Sequence, residues 1–250
     1  MGCNLKCPFC QNWQISQNSS HTTEYIAPAD LVTMALKKKS VGLAYTYSEP
    51  IIWFEYVREC AALAHEAGLV NVMVSNGYIQ ERPLDELTPF IDAWNVDLKC
   101  FSEETYRTVL KGSLDSVCRT IKYLSGKTHL EVTTLVVTGM NDTMEEMSAL
   151  SQWLGSVNNR IPWHVSRYFP SYSYNKPPTD VSFMIDVCQS AKNSLRYIYC
   201  GNISGHADTQ QTYCLFCGAQ LISRSGYQVS VQGLDGNTCS SCGKKTDIII

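Results

Sequence analysis

Three cysteines near the start of the chain have the residue type and the spacing of a metal centre. Cys3, Cys7 and Cys10 follow the pattern Cys-x3-Cys-x2-Cys. A short loop with three thiolates can hold an iron–sulfur cube, and three protein ligands leave one of its four irons without a protein ligand. A metal with an open coordination position is suited to catalysis. A structural zinc site with a remote fourth ligand is the competing interpretation.

A second set of cysteines lies near the other end of the sequence. Cys214-x2-Cys217 and Cys239-x2-Cys242 are two pairs, and each pair is followed by glycine. Two such pairs resemble zinc knuckles, in which a tight turn points two thiolates at one metal. Four thiolates close a tetrahedron and leave no open position, so we predict a structural zinc site. Rubredoxin-like iron or an auxiliary iron–sulfur cluster is the alternative.

Composition limits the classes of protein that the chain can represent. Its 250 residues are 44% hydrophobic and 17% charged, which suits one well-buried domain with a small appendage. A net charge of −3 lacks the basic footprint of nucleic-acid binding. No run reaches the roughly 20 apolar residues of a membrane span, and the start has no secretion signal. We therefore expect a cytoplasmic protein, in which twelve cysteines bind metal rather than form disulfides.

Alternating strands and helices must position these cysteines. We predict strands at 42–47, 70–75, 93–98, 129–137, 162–168 and 195–200. We predict helices near 28–39, 51–67, 84–91, 103–110, 114–125, 142–155 and 179–192. Asp142 and Glu145 have the spacing of a capping box. Repeated strand–helix–strand units predict a parallel sheet or barrel with functional loops at the carboxyl ends of the strands. The pattern changes near 201, so we place a core at 1–200 and a four-cysteine module at 201–250.

The first cysteine loop resembles the signature of the radical S-adenosylmethionine (SAM) superfamily, Cys-x3-Cys-x-Φ-Cys, where the aromatic residue Φ is Phe9. In that superfamily a [4Fe–4S] cluster binds SAM at its open iron and donates one electron that breaks the C5′–S bond. The resulting 5′-deoxyadenosyl radical abstracts a hydrogen atom from a substrate, and the protein positions these groups. The resemblance implies a cluster on Cys3, Cys7 and Cys10. It also implies that Phe9 packs near the adenine, with ordinary loop packing as an equal alternative.

Polar residues at three successive strand ends match the family in order and in place. Glu49 is similar to the segment that holds the SAM amino group, although a surface carboxylate is the alternative. Ser75 and Asn76 can face the ribose or carboxylate, or form a plain Asn-Gly turn. Asp97 and Lys99 are similar to the Asp-x-Lys element of the pyruvate formate-lyase activating enzymes. Alternation along a strand places both on one face, and a structural ion pair is the competing account.

Later strands supply further candidates for binding the cofactor. Glu131 and Thr133 share a face of the fourth predicted strand, and His164 lies on the fifth. A lone histidine is more often a core residue than a functional one. Arg167 ends the fifth strand, where a guanidinium can bind a carboxylate with two hydrogen bonds. We expect four of these side chains to converge on one rim of the sheet, at the ends of successive strands: Glu49, Asp97, Lys99 and Glu131. No residue is assigned as catalytic.

Over nearly its whole length the chain resembles the AmmeMemoRadiSam system radical SAM proteins, which are related to the pyruvate formate-lyase activating enzymes. The resemblance rests on GCNLKCPFCQNWQISQ, AYTYSEPIIWFEY, VSNGYI, NVDLKCFSEETYR, PWHVSRYFP and the terminal zinc ribbon. It implies a SAM-cleaving oxidoreductase whose substrate the sequence does not identify. The partners that it implies are an electron donor such as flavodoxin or ferredoxin, and Memo-like and AMMECR1-like proteins.

Family members carry several dozen residues before the cluster loop, including the first barrel strand, whereas this sequence begins two residues before Cys3. We therefore expect a partial (β/α)6-type barrel without its first strand, with an exposed edge beside the cluster.

Two classes of function are open. The chain is either a radical SAM enzyme, including one that activates a glycyl-radical partner protein, or a catalytically silent metal-binding module. Polar residues at successive strand ends favour the enzyme.

Overall fold

Six strands separated by helices form one parallel sheet. The structure is a computed structural model that describes residues 1–17, 23–204, 207–226 and 228–248. The strands are β1 (Gly42–Tyr45), β2 (Val70–Ser75), β3 (Ala93–Asp97), β4 (His129–Val136), β5 (Trp163–Arg167) and β6 (Ile198–Gly201). They lie side by side in chain order, with every neighbouring pair parallel. The six predicted strands and the α/β fold class are confirmed.

Helices precede and connect these strands. They are α1 (Trp13–Ser16), α2 (Pro28–Lys37), α3 (Phe54–Glu66), α4 (Glu81–Leu87), α5 (Glu103–Thr105), α6 (Leu114–Leu124), α7 (Met144–Asn158) and α8 (Val181–Ala191). Short 3-10 turns cover Pro50–Trp53, Thr88–Phe90 and Ala207–Gln210, and a π-helical turn covers Tyr106–Leu110. No helix among the described residues is long and apolar enough to cross a bilayer.

The start of α7 differs from the predicted capping box by one residue. The cap is Thr143, whose hydroxyl accepts a hydrogen bond from the Glu146 N–H at 3.3 Å. Asp142 instead accepts from the Gly139 N–H at 2.7 Å and closes the turn before the helix. The pairs Asp142–Glu145 and Thr143–Glu146 both place a glutamate three residues after an oxygen acceptor. The spacing alone therefore does not show which pair begins the helix.

One face of the sheet is buried beneath the helices and forms the core. Residues of β2, β3 and β4 alternate between buried and half-exposed positions, as a strand with one covered face requires. Met73, Trp94, Val132 and Val165 are among the fully buried set. Burial of each such side chain stabilises the fold by about 1.5–3 kcal/mol. Because apolar side chains alternate along each strand and fill the buried face, the residues between them lie on the opposite, half-exposed face of the sheet.

The half-exposed side of the sheet, which we call the open face, carries a row of polar side chains from β3 to β6. Register pairs Asn95 with Glu131, Asp97 with Thr133, Thr133 with His164, and His164 with Tyr199. Because paired residues in neighbouring strands point to the same side, these side chains form one continuous surface. The sheet therefore presents hydrogen-bonding and charged groups together, away from the helices.

A small β-rich module follows the sheet. Strands β7 (Thr212–Tyr213), β8 (Gln220–Ser225) and β9 (Gln228–Val231) form an antiparallel sheet, and β10 (Leu234–Asp235) pairs with β11 (Thr238–Cys239). Polar contacts join the module to the core: the Tyr199 and Thr212 hydroxyls lie 2.9 Å apart, and Arg160 pairs with Asp247 at 2.8 Å. The domain division at residue 200 stays a prediction.

Candidate functional site

The first cysteine loop is fixed to the ends of the sheet by its backbone. The Gly2 N–H donates to the Ile15 carbonyl at 2.9 Å and to the Ser48 hydroxyl at 3.0 Å. The Lys6 N–H donates to the Leu110 carbonyl at 2.8 Å. Gly2 has a φ of +118°, a conformation that side chains rarely adopt. The loop therefore has a defined path against residues that follow β1 and β3.

The segment after β5 closes over the other side of the loop. The Ser171 hydroxyl donates to the Cys10 carbonyl at 3.1 Å. Phe9 is buried and packs edge-on against Tyr174, with ring centroids 6.4 Å apart. This contact is the ordinary loop packing that was one of the two interpretations of Phe9. Its predicted position beside an adenine stays a prediction.

Hydrogen-bond donors surround two of the three thiols. The Leu5 N–H lies 3.4 Å from the Cys3 Sγ, and the Asn76 side-chain amide lies 3.6 Å from the same atom. The Ser16 hydroxyl is 3.2 Å from the Cys10 Sγ; either group can donate while Cys10 is a thiol, and the hydroxyl donates once Cys10 is a thiolate. Such donors stabilise negative charge on sulfur, which is the form that binds iron. The surroundings of these thiols fit thiolate ligands.

The third thiol, that of Cys7, is buried and lies in the field of a lysine. Burial raises the pKa of Cys7 to about 12, and the positive charge of Lys99 opposes that rise. Burial also raises the pKa of Cys3, against the hydrogen bond from Leu5. Metal binding at these thiols must therefore release protons.

An ion pair stands beside this loop at the carboxyl end of β3. The Lys99 Nζ lies 2.7 Å from the Asp97 Oδ2, and the two side chains are 19% and 31% exposed. Burial lowers the pKa of Lys99, but the charges of Asp97 and Cys7 outweigh it and raise that pKa. Lys99 is thus held as a cation. Asp97 and Lys99 therefore lie on the same face, as predicted, and also form the ion pair that was the competing account.

The backbone around Lys99 is held by two residues that sequence reasoning missed. The Lys99 N–H donates to the Tyr106 hydroxyl at 3.0 Å, and the buried amide of Asn141 donates to the Lys99 carbonyl at 2.8 Å. Asn141 also accepts from the Val137 N–H at 2.6 Å. A single asparagine in a loop has no periodic signal, so the sequence offered no means of finding it.

Glu49 is buried, and both oxygens of its carboxylate accept hydrogen bonds from the chain. The side chain is 2% exposed. The Oε1 atom accepts from the Ile51 N–H at 3.2 Å and from the Ser75 hydroxyl at 2.8 Å, and the Oε2 atom accepts from the Asn76 N–H at 2.8 Å. Burial raises the pKa of Glu49, while these hydrogen bonds lower it. The carboxylate therefore organises the ends of β1 and β2. Its predicted role in holding the SAM amino group stays a prediction.

Asn76 connects β2 to the cysteine loop. Its Nδ2 donates to the Asn4 Oδ1 at 2.7 Å, and its Oδ1 accepts from the Tyr78 N–H at 2.9 Å. Asn4 in turn donates to the Tyr78 carbonyl at 2.8 Å. Ser75, also buried, accepts from the Gly77 N–H at 3.0 Å. These bonds form the turn that the Asn-Gly alternative described and also position Cys3.

Glu131 does not join Asp97 and Lys99 at one rim. Register places Thr133, not Glu131, beside Asp97, and the Thr133 hydroxyl donates to Asn95 at 2.9 Å. The carboxylate of Glu131 lies nearer the amino end of β4, where it pairs with two histidines. The expectation of a single rim was therefore too simple, because it ignored how far along its strand each carboxylate sits.

The two histidines beside Glu131 are His129 at 3.0 Å and His164 at 2.7 Å. All three line a cavity of about 820 Å³ between β4–β6 and the C-terminal module. Burial raises the pKa of Glu131, but the hydrogen bonds from the histidines outweigh it and lower the pKa to about 2. The hydrogen bond that His129 donates to Glu131 raises the pKa of His129. His164 is therefore part of a charged group rather than an isolated core residue.

Arg167, the last residue of β5, is turned toward the loop that follows. Its Nε donates to the Thr179 carbonyl at 2.8 Å, and its guanidinium carbon lies 5.0 Å from the centre of the Phe169 ring. Both contacts are with residues of its own connection to α8. Its predicted role in binding the cofactor stays a prediction.

The four C-terminal cysteines form a closed group. The Sγ atoms of Cys214 and Cys242 lie 3.8 Å apart, as do those of Cys217 and Cys239. A tetrahedral zinc site with Zn–S bonds of about 2.3 Å has sulfur–sulfur edges of about 3.8 Å. Within the described ranges, this is the only set of three or more metal-ligand side chains whose ligand atoms all lie within 4.8 Å of one another. The geometry is that of a site for one metal ion.

Comparisons with known proteins agree with this architecture. Residues 1–154 match the model of the Radical SAM superfamily. An uncharacterized protein of Methanocaldococcus jannaschii is 36% identical over 262 aligned residues, which cover 100% of this chain and 76% of that protein.

Solved structures show the same fold at low sequence identity. A domain of the pyruvate-formate lyase-activating enzyme from Bacteroides vulgatus has 13% identity and a TM-score of 0.55, over 64% of this chain and 99% of that one. Streptococcus suis SuiB bound to S-adenosylmethionine has 13% identity and a TM-score of 0.64, over 83% of this chain and 50% of that one. At such identities the likeness concerns the fold.

Proposed function

The chain belongs to the radical SAM superfamily, and we propose on that basis that it is an enzyme that cleaves SAM reductively and abstracts a hydrogen atom from a substrate. Cys3, Cys7 and Cys10 would hold a [4Fe–4S] cluster, which supplies the electron for SAM cleavage when bound. We further propose that its single electron comes from a small redox protein such as flavodoxin or ferredoxin. Memo-like and AMMECR1-like partners stay predictions.

The contrast between the two cysteine sets carries this proposal. The C-terminal set packs four sulfurs around a space for one ion, whereas the first three cysteines form no such group within the described residues. A cube presents a different iron to each thiolate, so its ligands need wider separation than those of a single ion. The donors around Cys3 and Cys10 favour thiolates at these two residues.

The chain's own residues divide the remaining tasks. Asn76 and the Leu5 N–H stabilise charge on Cys3, and Glu49 holds Asn76 in place. Asp97 and Lys99 offer one negative and one positive group on the open face, close enough to Cys7 for their charges to affect it. Such a pair is complementary to the ammonium and carboxylate of an amino acid, which SAM carries.

Anaerobic reconstitution tests the proposal. The wild-type chain should bind about four irons at the first site and release 5′-deoxyadenosine from SAM with a strong reductant. Cys7→Ala should lose both, because two thiolates are too few to hold the cluster. Cys118→Ala, on α6, is the matched control and should retain both. Wild-type protein that binds no cluster, or binds one and leaves SAM intact, would contradict the enzyme assignment.

We also propose that the C-terminal module holds structural zinc. A closed set of four thiolates with tetrahedral edges supports this assignment. Metal analysis of protein purified without reconstitution should give about one zinc per chain. Cys239→Ser should remove the zinc and lower the melting temperature. Iron in place of zinc at this site would show the rubredoxin-like alternative to be correct.

A further inference from the structure

Five side chains form a continuous row along the wall of the cavity between the sheet and the C-terminal module. They are Arg224, Tyr199, His164, Glu131 and His129, which we call the cavity row. The Arg224 guanidinium carbon lies 5.2 Å from the Tyr199 ring centre, and the Tyr199 and His164 rings stack at 5.4 Å. Glu131 then bonds to His164 and His129 at 2.7 and 3.0 Å. All five line the cavity.

The carboxylate of Glu131 determines which ring nitrogen of His129 and of His164 carries a proton. Ionised Glu131 can only accept hydrogen bonds, so the Nε2 atoms of His129 and His164 must both donate. In a neutral imidazole whose Nε2 is protonated, Nδ1 is an acceptor. Neither Nδ1 atom has a hydrogen-bond partner in the part of the chain that the structure describes. Each Nδ1 is therefore available to a ligand.

At the other end of the row, Arg224 is a cation that forms no ion pair with an acid among the described residues. Its Nη1 donates to the Gln210 carbonyl at 2.8 Å and to the Thr212 hydroxyl at 2.9 Å. No carboxylate within residues 1–17, 23–204, 207–226 and 228–248 lies at ion-pair distance from it. Arg160, the other arginine of the cavity, is already paired with Asp247. Arg224 thus has a free charge and unused donors.

We propose that the cavity row binds a small molecule through an oxyanion, a carboxylate or phosphate, on Arg224 and through a hydroxyl or ammonium group on the Nδ1 of His164. A guanidinium binds planar oxyanions through paired hydrogen bonds, and the Nδ1 atom accepts from the second group. The assignment of this molecule as the substrate of the radical reaction rests on the proposed function. The proposal that the cavity row binds such a molecule does not depend on the proposed function.

A consequence is that the metal-binding module forms part of the binding site. Arg224 lies on β8, and Tyr199, which it covers, lies on β6 of the main sheet. The Tyr199 hydroxyl also contacts Thr212 of the module at 2.9 Å. The module therefore contributes the anion-binding residue and fixes its position against the sheet.

The probes for the test are inorganic phosphate and acetate, titrated into the full chain loaded with zinc but without the iron–sulfur cluster. Histidine ring signals are followed by NMR, with the His164 signals assigned by His164→Gln. We expect saturable shifts of the His164 signals with at least one anion. Shifts with acetate alone indicate a carboxylate ligand, and shifts with phosphate alone indicate a phosphate ligand. Shifts that do not saturate with either probe overturn the proposal.

Arg224→Gln should weaken binding of that anion at least tenfold, whereas Arg119→Gln, an exposed arginine on α6 paired with Glu81, should leave it unchanged. Equal affinity in wild type and Arg224→Gln overturns the proposal. If Arg224→Gln loses its zinc or its circular-dichroism spectrum, Arg224→Lys takes its place. That variant keeps the charge but not the paired donors, and it should bind several-fold more weakly. Unchanged affinity in Arg224→Lys would equally overturn it.

The same preparations separate this proposal from the radical SAM assignment. Arg224→Gln should still bind the cluster as the wild type does, because Arg224 contacts none of the first three cysteines. Saturable anion binding by a chain that forms no cluster would contradict the enzyme assignment and leave the binding site supported. A chain that cleaves SAM but binds neither anion would support the enzyme assignment and contradict the proposed binding site.

Discussion

Replacing Glu49 by glutamine separates two roles for a buried carboxylate. In the structure, Glu49 accepts hydrogen bonds from the Ile51 N–H, the Ser75 hydroxyl and the Asn76 N–H. Glutamine has nearly the same shape but carries only one acceptor oxygen. If its oxygen takes the Oε1 position, its NH2 group faces the Asn76 N–H, donor against donor. In the opposite orientation the Ile51 N–H loses its acceptor.

The magnitude follows from the bonds that are lost. Leaving one buried donor without a partner costs about 1–3 kcal/mol. Removing a desolvated charge offsets part of this cost, since burial already raises the pKa of Glu49. We expect Glu49→Gln to destabilise the chain by about 1–3 kcal/mol. For a chain of this size, each kcal/mol lowers the melting temperature by about 2–4 °C.

Thermal unfolding measured by circular dichroism, on protein without the iron–sulfur cluster, gives the stability. SAM affinity of the reconstituted protein gives the second readout. Glu59→Gln, an exposed acid on α3, is the control and should change neither. If Glu49→Gln leaves the melting temperature unchanged but abolishes SAM binding, the carboxylate faces the ligand and the positioning role is wrong.

Three further predictions concern the core, the cysteine loop and the cavity. Asn71→Leu should destabilise by about 2–4 kcal/mol in urea unfolding, because this fully buried amide bonds to the Ala61 carbonyl at 2.9 Å. Gly112→Ala should lower cluster occupancy and cost about 1–3 kcal/mol, since its Cβ would lie 2.4 Å from the Leu5 Cδ2. Glu131 has its pKa lowered from 4.5 to about 2, so its stabilisation is complete above pH 4.5 and is lost as the pH falls toward 2. Glu131→Gln should flatten that acid limb of the stability–pH curve, and an unchanged limb would contradict this account.

The strands and most helices could be predicted because burial imposes a period on the sequence. The alternation in β2 and β4 shows directly in which residues are buried. The neighbouring positions of Asp97 and Lys99 followed from the same alternation. A local pattern is sufficient where the partners lie two residues apart.

Partners distant in the sequence could not be predicted in this way. Asn4 and Asn76 meet across 72 residues, and Arg224 reaches Tyr199 from a separate module. These contacts depend on how the elements are arranged, which no local periodicity encodes. The hydrogen bonds of Glu49 could not be predicted for a related reason: the sequence places an acid after a strand but does not show which donors bind it.

The clamping of the first cysteine loop sets an order of assembly. Its residues bond to positions far along the chain, among them Ser48, Tyr78 and Ser173, which donates to the Pro8 carbonyl at 3.0 Å. During synthesis the cysteines leave the ribosome long before Ser173 exists. The thiols must wait, unconfined, until β5 and the segment after it are made. The loop that would hold the proposed cluster therefore reaches its folded conformation only after β5 and the segment that follows it have been made.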